Sequence, residues 1–462
     1  MWVSLAAWLL SILFPLAALV TGLRNAAIFE APALVSAAPL PTVLATLALT
    51  AALVASRRSA RLRENLPALA LFLSFSTGYF LLASIFNKQE LNTNNIYFAA
   101  DSSSWHWRMA APFGWDIATR AVHPLAHVIF RPLTAALSLV TGGDRFHANL
   151  LLLGLAGGGC VWLAYQIVRP FAPGPAYAVL FASLLGLSTS HLVFASVVES
   201  YIFSAFCLLL FIWLLSRQAS LAWLAASGVL TLGITVTNFG QQVLADFFVQ
   251  RNLKRLAALV VIVVAAGAAA NILARSYYPT TDYFFLPQNM LTEKKYAQTI
   301  DARRISLMTE NLLVYNVVAP QPYFHTREQS KPRFNFLPGS IAQYAWFGWP
   351  ALGLWLAACA LAVFQFARNL RRDTPAGRLS LALLACLAFN FVLHLNYGVE
   401  PFLYSADWTY ALTLFVALNL GAMANHRWFP PALLALVAAV FVNQVWFVYL
   451  LTGVVRPFLA GN

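Results

Sequence analysis

Long apolar runs separated by short polar or basic loops make up most of the chain, and two longer polar segments interrupt them. A run of about 20 mostly apolar residues can cross the hydrocarbon core of a membrane as a helix. The pattern therefore predicts an all-α polytopic membrane protein with about 11–13 transmembrane helices. The predicted spans are 3–22, 34–56, 66–86, 148–168, 174–197, 200–216, 219–235, 237–250, 256–273, 344–367, 377–396, 405–424 and 430–452.

The pair of spans over 219–250 is the weakest in this pattern. Its second half, TNFGQQVLADFFVQ, is short and half polar, and a lipid-facing surface of Gln241, Gln242 and Asp246 would be costly. We therefore expect a tilted or re-entrant helix that lines a cavity. The run Gly157-Gly158-Gly159 lies inside an apolar span, which predicts close packing of two helices.

The composition supports a lipid environment. The chain is 60% hydrophobic and 10% charged, with a mean hydropathy of +0.71, whereas a soluble protein is about 25% charged. All four cysteines lie in apolar runs without a CxxC pair, which predicts small buried side chains, no zinc site and no disulfide. The first apolar run begins at Met1 without a basic segment before it, so we expect a retained span.

The net charge of +13 is unevenly distributed. If the N-terminus is cytoplasmic, the short inner loops hold about half of the 29 Lys and Arg residues and very few acidic ones. This positive-inside pattern explains the basic character without a nucleic-acid partner. Both long polar segments, 87–147 and 274–343, then face outward. We predict one transmembrane domain over 1–462 that carries these segments as two extracytoplasmic loops.

Each outer loop is predicted to contain a short interfacial helix. Apolar residues recur at helical spacing from Asp116 to Phe130, and Pro124 would kink or split that helix. In the second loop, 303–318 places Ile305, Met308, Leu312 and Tyr315 on one face, as in a helix at the membrane interface.

Two acidic residues are the main candidates for chemistry. Asp101 begins the segment DSSSWHW in the first outer loop, where it acts either as a general base or as the cap of a turn or helix. Glu199 lies where two spans adjoin, with almost no other charge nearby. An ionisable group at such a place indicates function, although a loop carboxylate in contact with water fits as well. Tyr201 beside it is an interface aromatic or a substrate contact.

Other polar residues of the outer loops are candidates for binding a substrate. His123, in a His-Pro step, either caps the loop helix or offers a neutral imidazole to a phosphate or sugar. Seven basic residues either pair with a phosphate group or are solvated surface charges. They are Arg108, Arg120, Lys294, Lys295, Arg303, Arg304 and Arg327. A third outer cluster, either a cavity wall or a structural network, contains His394, Asn396, Glu400 and Asp407.

Several enzyme classes find no support in the sequence. It contains no Walker A loop, no HExxH, no GxSxG and no GxGxxG motif. Nucleotide-dependent chemistry, metalloprotease activity and serine-hydrolase activity are therefore not indicated.

Three features of the sequence resemble the GT-C membrane glycosyltransferases, especially the branch similar to protein O-mannosyltransferases. The first is the aspartate of AADSSSWHW, Asp101, followed about twenty residues later by the His-Pro of AVHPLAHVIFRPL. The second is the step VVESYIF around Glu199, although Val198 replaces the proline of the family and Ser102 replaces its frequent second acid. The third is the layout of many spans with two long outer loops.

The resemblance implies an inverting glycosyltransferase with a polyprenyl- or dolichyl-phosphate-linked sugar donor. Asp101 would take the proton of the acceptor hydroxyl as it attacks the anomeric carbon, and inversion needs only one such base. Glu199 would position the acceptor or donor, or assist the base. No cofactor is expected, and a divalent metal is compatible with this chemistry but not required by it.

The implied partners are the lipid-linked donor, a glycan, lipid or protein acceptor, and membrane lipids. The implied location is a bacterial inner membrane, with the active site facing the periplasm or the outside. A flippase for lipid-linked saccharides, or another membrane transporter, explains the spans but not the long loops on one side, and no repeat of the spans is visible. A structural membrane protein explains the apolar bulk but not Glu199.

Overall fold

A bundle of apolar helices forms the body of the protein. The computed structural model describes residues 60–87, 96–111, 119–327, 331–370 and 372–459, so the predicted spans 3–22 and 34–56 and the residue Asp116 lie outside the described part. The described α-helices are α1 (Ala60–Phe86), α2 (Ser102–Ala110), α3 (Ala126–Ser138), α4 (Arg145–Val168), α5 (Pro175–Leu187), α6 (Thr189–Phe194), α7 (Tyr201–Ser216), α8 (Leu221–Ile234), α9 (Phe239–Gln250), α10 (Leu253–Tyr277), α11 (Pro287–Leu291), α12 (Ala302–Glu310), α13 (Gly348–Asn369), α14 (Pro375–Asn396), α15 (Ala406–Leu420) and α16 (Phe429–Leu459). A hairpin of β1 (Tyr323–Arg327) and β2 (Lys331–Asn335) lies between α12 and α13.

Six helices of the described part are long and apolar enough to cross a membrane. They are α1, α4, α10, α13, α14 and α16. Helices α5, α7 and α8 are apolar but shorter. The predicted span 174–197 shows this best, since it divides into α5 and α6 at Ser188, whose hydroxyl accepts a hydrogen bond from the backbone of His191.

The glycines of α4 allow it to pack against α1 at very short range. A Cβ atom at Gly158 would lie 2.0 Å from the Ser76 hydroxyl and 2.7 Å from the Phe72 carbonyl oxygen. A Cβ atom at Gly157 would lie 2.5 Å from that of Ala195. The predicted close packing at these glycines is therefore confirmed.

The position and orientation of each helix in the bundle follow the polarity of its surface. Helices α5 and α15 are buried on almost every side, whereas α10 leaves Val261, Ile262 and Leu273 exposed, as suits a helix in contact with lipid. The polar face of α9 points inward, where Gln241 bonds to Asn390 of α14 and accepts a hydrogen bond from Tyr410 of α15. The expectation that this face avoids lipid is confirmed.

The first outer loop differs from its predicted helix. Helix α3 begins at Ala126, after Pro124, so the proline precedes the helix and does not kink it. The residue before a proline disfavours the helical conformation, which places the boundary here. Helix α2, by contrast, forms over residues where the sequence shows no helical period.

The second outer loop contains the expected helix, which continues from α12 into a π-helical turn, Asn311–Tyr315. Met308 and Tyr315 are buried, whereas Ile305 is exposed. The hairpin that follows was not predicted. Its Phe334 donates a backbone hydrogen bond of 2.8 Å to Ile96 and accepts one of 3.0 Å from Phe98. The two outer loops are thereby joined at one end of the bundle.

We expect Gly158→Ala to destabilise the protein by about 1–3 kcal/mol, because the added methyl group has no room between α1 and α4. Gly353→Ala in α13 is the matched control, since nothing lies within 4 Å of a Cβ atom there. Thermal unfolding in detergent measures both variants. Equal unfolding temperatures for the two variants would contradict the packing described for α4.

Candidate active site

A cavity of about 470 Å³ opens at the end of the bundle where the outer loops meet. Its wall combines the first outer loop, the turn before α7, the segment between α8 and α9, the second outer loop and the segment between α14 and α15. The sequence-predicted residues on this wall are Asp101, Arg108, Arg120, His123, Glu199, Tyr201, His394, Glu400 and Asp407. The predicted residues Lys294, Lys295, Arg303 and Arg304 do not line it.

Asp101 and Glu199, 98 residues apart in sequence, are direct neighbours. The backbone N–H of Asp101 donates a hydrogen bond of 2.9 Å to Oε2 of Glu199, and the N–H of Ser200 donates one of 2.8 Å to Oε1. Asp101 immediately precedes α2, but its side chain makes no capping hydrogen bond. A helix cap therefore does not account for the Asp101 carboxylate.

Glu199 is buried. Its exposed fraction is 2%, which is incompatible with a loop carboxylate in contact with water. Burial raises the pKa of Glu199 above the ordinary carboxyl value, and the neighbouring negative charge of Asp101 raises it further. Hydrogen bonds from the backbone and the charge of Arg108 oppose the shift only in part. Glu199 thus holds its proton more readily than an ordinary carboxyl group does.

The backbone just before Asp101 is strained. Phe98 and Ala99 have φ angles of 52° and 60°, in the left-handed region that residues with a side chain rarely adopt. The Phe98 ring is fully buried against Phe336 and Phe402, with ring centres 4.8 and 4.7 Å away. This packing fixes the turn that directs the Asp101 backbone toward Glu199.

Arg108 supplies a cation beside the two acids. Its guanidinium lies 5.2 Å from the centre of the Trp105 ring, and its Nε is buried without a hydrogen-bond partner among the described residues. Burial lowers the pKa of Arg108, while the charges of Glu199 and Asp101 oppose this shift. The group keeps its charge because a guanidinium does not lose its proton in proteins.

Arg120 forms the best-connected ion pair of the cavity. Its Nε donates a hydrogen bond of 3.0 Å to Oε1 of Glu293, and its Nη2 pairs with Oε2 of the same carboxylate. The hydroxyl of Tyr397 donates to Oε2 at 2.8 Å, and the guanidinium lies 4.9 Å from the centre of the Tyr296 ring. Burial acts to lower the pKa of Arg120, but Glu293 raises it overall.

His123 is held as a neutral imidazole. Its Nδ1 lies 2.6 Å from the carbonyl oxygen of Ile234, so Nδ1 carries the proton and Nε2 is an acceptor. Burial lowers the pKa of His123 to about 3. An acceptor nitrogen can bind a hydroxyl group but cannot donate to a phosphate anion.

Arg304 is surrounded by backbone carbonyl groups. Its guanidinium donates to the carbonyl oxygens of five residues at the end of α14 and in the turn after it, at 2.5 to 3.3 Å. Those residues are His394, Leu395, Tyr397, Gly398 and Val399. Arg304 therefore shapes the cavity wall from behind. Lys294, Lys295 and Arg303 are exposed and do not line the cavity.

The third predicted cluster forms part of the wall. His394 stacks on Tyr404 with ring centres 4.3 Å apart, and Glu400 and Asp407 also line the cavity. Burial raises the pKa of Glu400 to about 8 against the opposing charge of Arg304. Glu400 and Asp407 each have one buried carboxyl oxygen without a hydrogen-bond partner in the described part of the chain.

Among the cavity residues that the sequence analysis missed are Glu293, Tyr296, Arg333 and Tyr397. Glu293 stands beside two lysines in TEKKY, where an exposed helix turn is the obvious interpretation. Arg333 lies on the unpredicted strand β2. A search for tyrosines near acidic residues within the outer loops could have found Tyr296.

The structure bears on metal sites and disulfides only within the described residues. No group of three or more His, Cys, Asp or Glu side chains in this part is placed to hold a metal ion. All four cysteines are free thiols, as expected.

No protein-family model matches the chain, and no curated protein sequence matches it either. Among solved structures, the chain is similar to ArnT from Cupriavidus metallidurans, whose crystal structure contains bound undecaprenyl phosphate. The TM-score is 0.52, the sequence identity is 11%, and the alignment covers 84% of this chain and 78% of that chain. This likeness and the six candidate spans confirm the predicted fold, an all-α polytopic membrane protein.

We expect Arg304→Lys to lower the unfolding temperature, because an ammonium group has three donors and cannot serve five carbonyl oxygens. The rough cost is about 1–3 kcal/mol for backbone groups left without partners. Arg303→Lys, the same change at an exposed neighbour, is the control. Thermal unfolding measures both, and an unchanged R304K protein would show that the turn does not depend on this side chain.

Proposed function

We propose that the protein is an integral membrane inverting glycosyltransferase that moves a sugar from a polyprenyl-phosphate-linked donor to an acceptor on the extracytoplasmic side. The observation that carries the proposal is the meeting of Asp101 and Glu199 beside Arg108 in one cavity at the end of the bundle. A base and a phosphate-binding cation are the two groups that such a reaction needs. The likeness in fold to ArnT, solved with undecaprenyl phosphate, supports the lipid-phosphate donor.

Asp101 acts as the general base in this proposal. The acceptor hydroxyl attacks the anomeric carbon, its proton passes to the Asp101 carboxylate, and the bond between the anomeric carbon and the phosphate oxygen breaks with inversion. Because burial and the neighbouring charge raise the pKa of Glu199, its neutral form is favoured and adds no second negative charge beside the Asp101 carboxylate. Glu199 is the positioning residue, since it binds the Asp101 backbone.

The leaving lipid phosphate carries its negative charge into the cationic part of the cavity. Arg108 and Arg120 line that part, and a guanidinium can pair with phosphate through two hydrogen bonds. These cations stabilise the leaving group, so the proposed chemistry requires no metal. Addition of a chelator measures that independence directly.

The proposal extends to the class of acceptor and to the membrane in which the protein lies. A glycan, a lipid or a protein hydroxyl can serve as acceptor, and a bacterial inner membrane with a periplasmic cavity fits the one-sided Lys and Arg pattern. The closer resemblance to the protein O-mannosyltransferase branch stays a prediction, which a peptide acceptor would test.

We expect Asp101→Asn to reduce sugar transfer by about 10²–10⁴-fold, because the amide cannot accept the proton. The assay measures release of undecaprenyl phosphate from glycosylated donors in proteoliposomes. Asp373→Asn, the same change in the exposed loop at the other end of α14, is the control. Full transfer by D101N would overturn the role of Asp101, and movement of donor across the membrane without turnover would favour a flippase.

We expect Glu199→Gln to remove the alkaline decline of kcat/KM. In the wild type, rising pH removes the proton of Glu199 and adds a second negative charge beside Asp101 and the departing phosphate, so the rate falls. Glutamine keeps the neutral form at every pH and can still accept the Asp101 hydrogen bond. The measurement is a pH–rate profile of both proteins. An unchanged alkaline decline in E199Q would assign it to another group.

A further inference from the structure

Arg120 is the cavity cation that already has an anionic partner. Glu293 binds its guanidinium through two atoms, the geometry in which a phosphate would also bind. The side chain of Glu293 is 9% exposed and that of Arg120 is 28% exposed, so the pair is partly shielded from water at the cavity wall. Arg108, by contrast, has no ion-pair contact within 4.0 Å of an acidic side chain among the described residues.

We propose that Glu293 occupies, on Arg120, the place of the phosphate group of the lipid-linked substrate, and so limits how tightly substrate and product bind. The inference rests on the proposed function, because it assumes a phosphate-bearing ligand in this cavity. A phosphate can reach both donor atoms of Arg120 only if the Glu293 carboxylate leaves them. Binding is therefore an exchange of one anion for another.

Tyr397 can still bind the Glu293 carboxylate after phosphate has displaced it from Arg120. The hydroxyl of Tyr397 donates to Oε2 at 2.8 Å, independently of Arg120. Burial raises the pKa of Tyr397, and the charge of Glu293 adds to that shift, so the hydroxyl keeps the proton that it donates. The displaced carboxylate thus retains one hydrogen bond, while the Tyr296 ring continues to face the Arg120 guanidinium at 4.9 Å.

The exchange has a consequence for turnover. A cation that binds phosphate without a competitor would hold the product, the free polyprenyl phosphate, as tightly as the donor. Glu293 returns to Arg120 and favours release of the product. The residue is a positioning residue for Arg120 that sets affinity, and it contacts neither the sugar nor the attacking hydroxyl.

The test measures binding of undecaprenyl phosphate to the full-length protein in nanodiscs. We expect Glu293→Gln to bind it about 5–20-fold more tightly than the wild type, and transfer to become limited by product release, with lower kcat and lower KM. Arg120→Gln should weaken binding, and the double variant should match R120Q. Tyr397→Phe keeps both charges and should change affinity less than E293Q does.

If the ion pair between Arg120 and Glu293 is purely structural, E293Q should bind undecaprenyl phosphate less tightly and not more tightly. In that case E293Q and R120Q both weaken binding and both lower the unfolding temperature, which would overturn the inference. If E293Q does not fold, Glu293→Asp carries the test, because the shorter side chain keeps the charge but cannot maintain both contacts with Arg120; unchanged or weaker binding by E293D would then overturn the inference. Transfer by the wild type with no gain in E293Q affinity would overturn the inference alone, whereas a wild type that binds no undecaprenyl phosphate would overturn the proposed function as well.

Discussion

Where the backbone is not helical inside an apolar bundle, its N–H and C=O groups need hydrogen-bond partners other than water. The candidate site depends on the side chains that supply these hydrogen bonds. Three side chains provide those partners. The Glu199 carboxylate accepts the N–H groups of Asp101 and Ser200, and the Asn87 amide donates to the carbonyl of Ser196 and accepts from the N–H of Val198. Arg304 donates to carbonyl oxygens at the end of α14 and in the turn after it.

The same contacts join segments that are distant in sequence. Glu199 links the turn before α7 to the first outer loop, while Arg304 links the second outer loop to the end of α14. Phe334 adds a backbone link between the hairpin and the residues before Asp101. The cavity is therefore held by hydrogen bonds between loops, whereas the bundle below it is held by apolar packing such as that of α1 on α4.

The helices could be predicted from the sequence because their signal is local. Hydrophobic length gave most spans within the described residues, and the glycines of α4 indicated its close contact with α1. Glu199 could be singled out because an ionisable group where two spans adjoin is unusual. The roles of Arg304 and Glu293 could not, since an arginine that binds carbonyl oxygens and one that binds phosphate look alike in a sequence. The hairpin was missed because its strands pair through contacts that no single segment contains.

The left-handed turn at Phe98 and Ala99 places a limit on how stable this protein can be made. Each such residue costs roughly 1–2 kcal/mol relative to a relaxed backbone. Glycine at position 99 would relieve that cost, but it would also free the chain that directs Asp101. A rigid position for the Asp101 carboxylate and a high thermal stability therefore oppose each other at Ala99. Selection for heat resistance alone would loosen the segment that the proposed chemistry needs fixed.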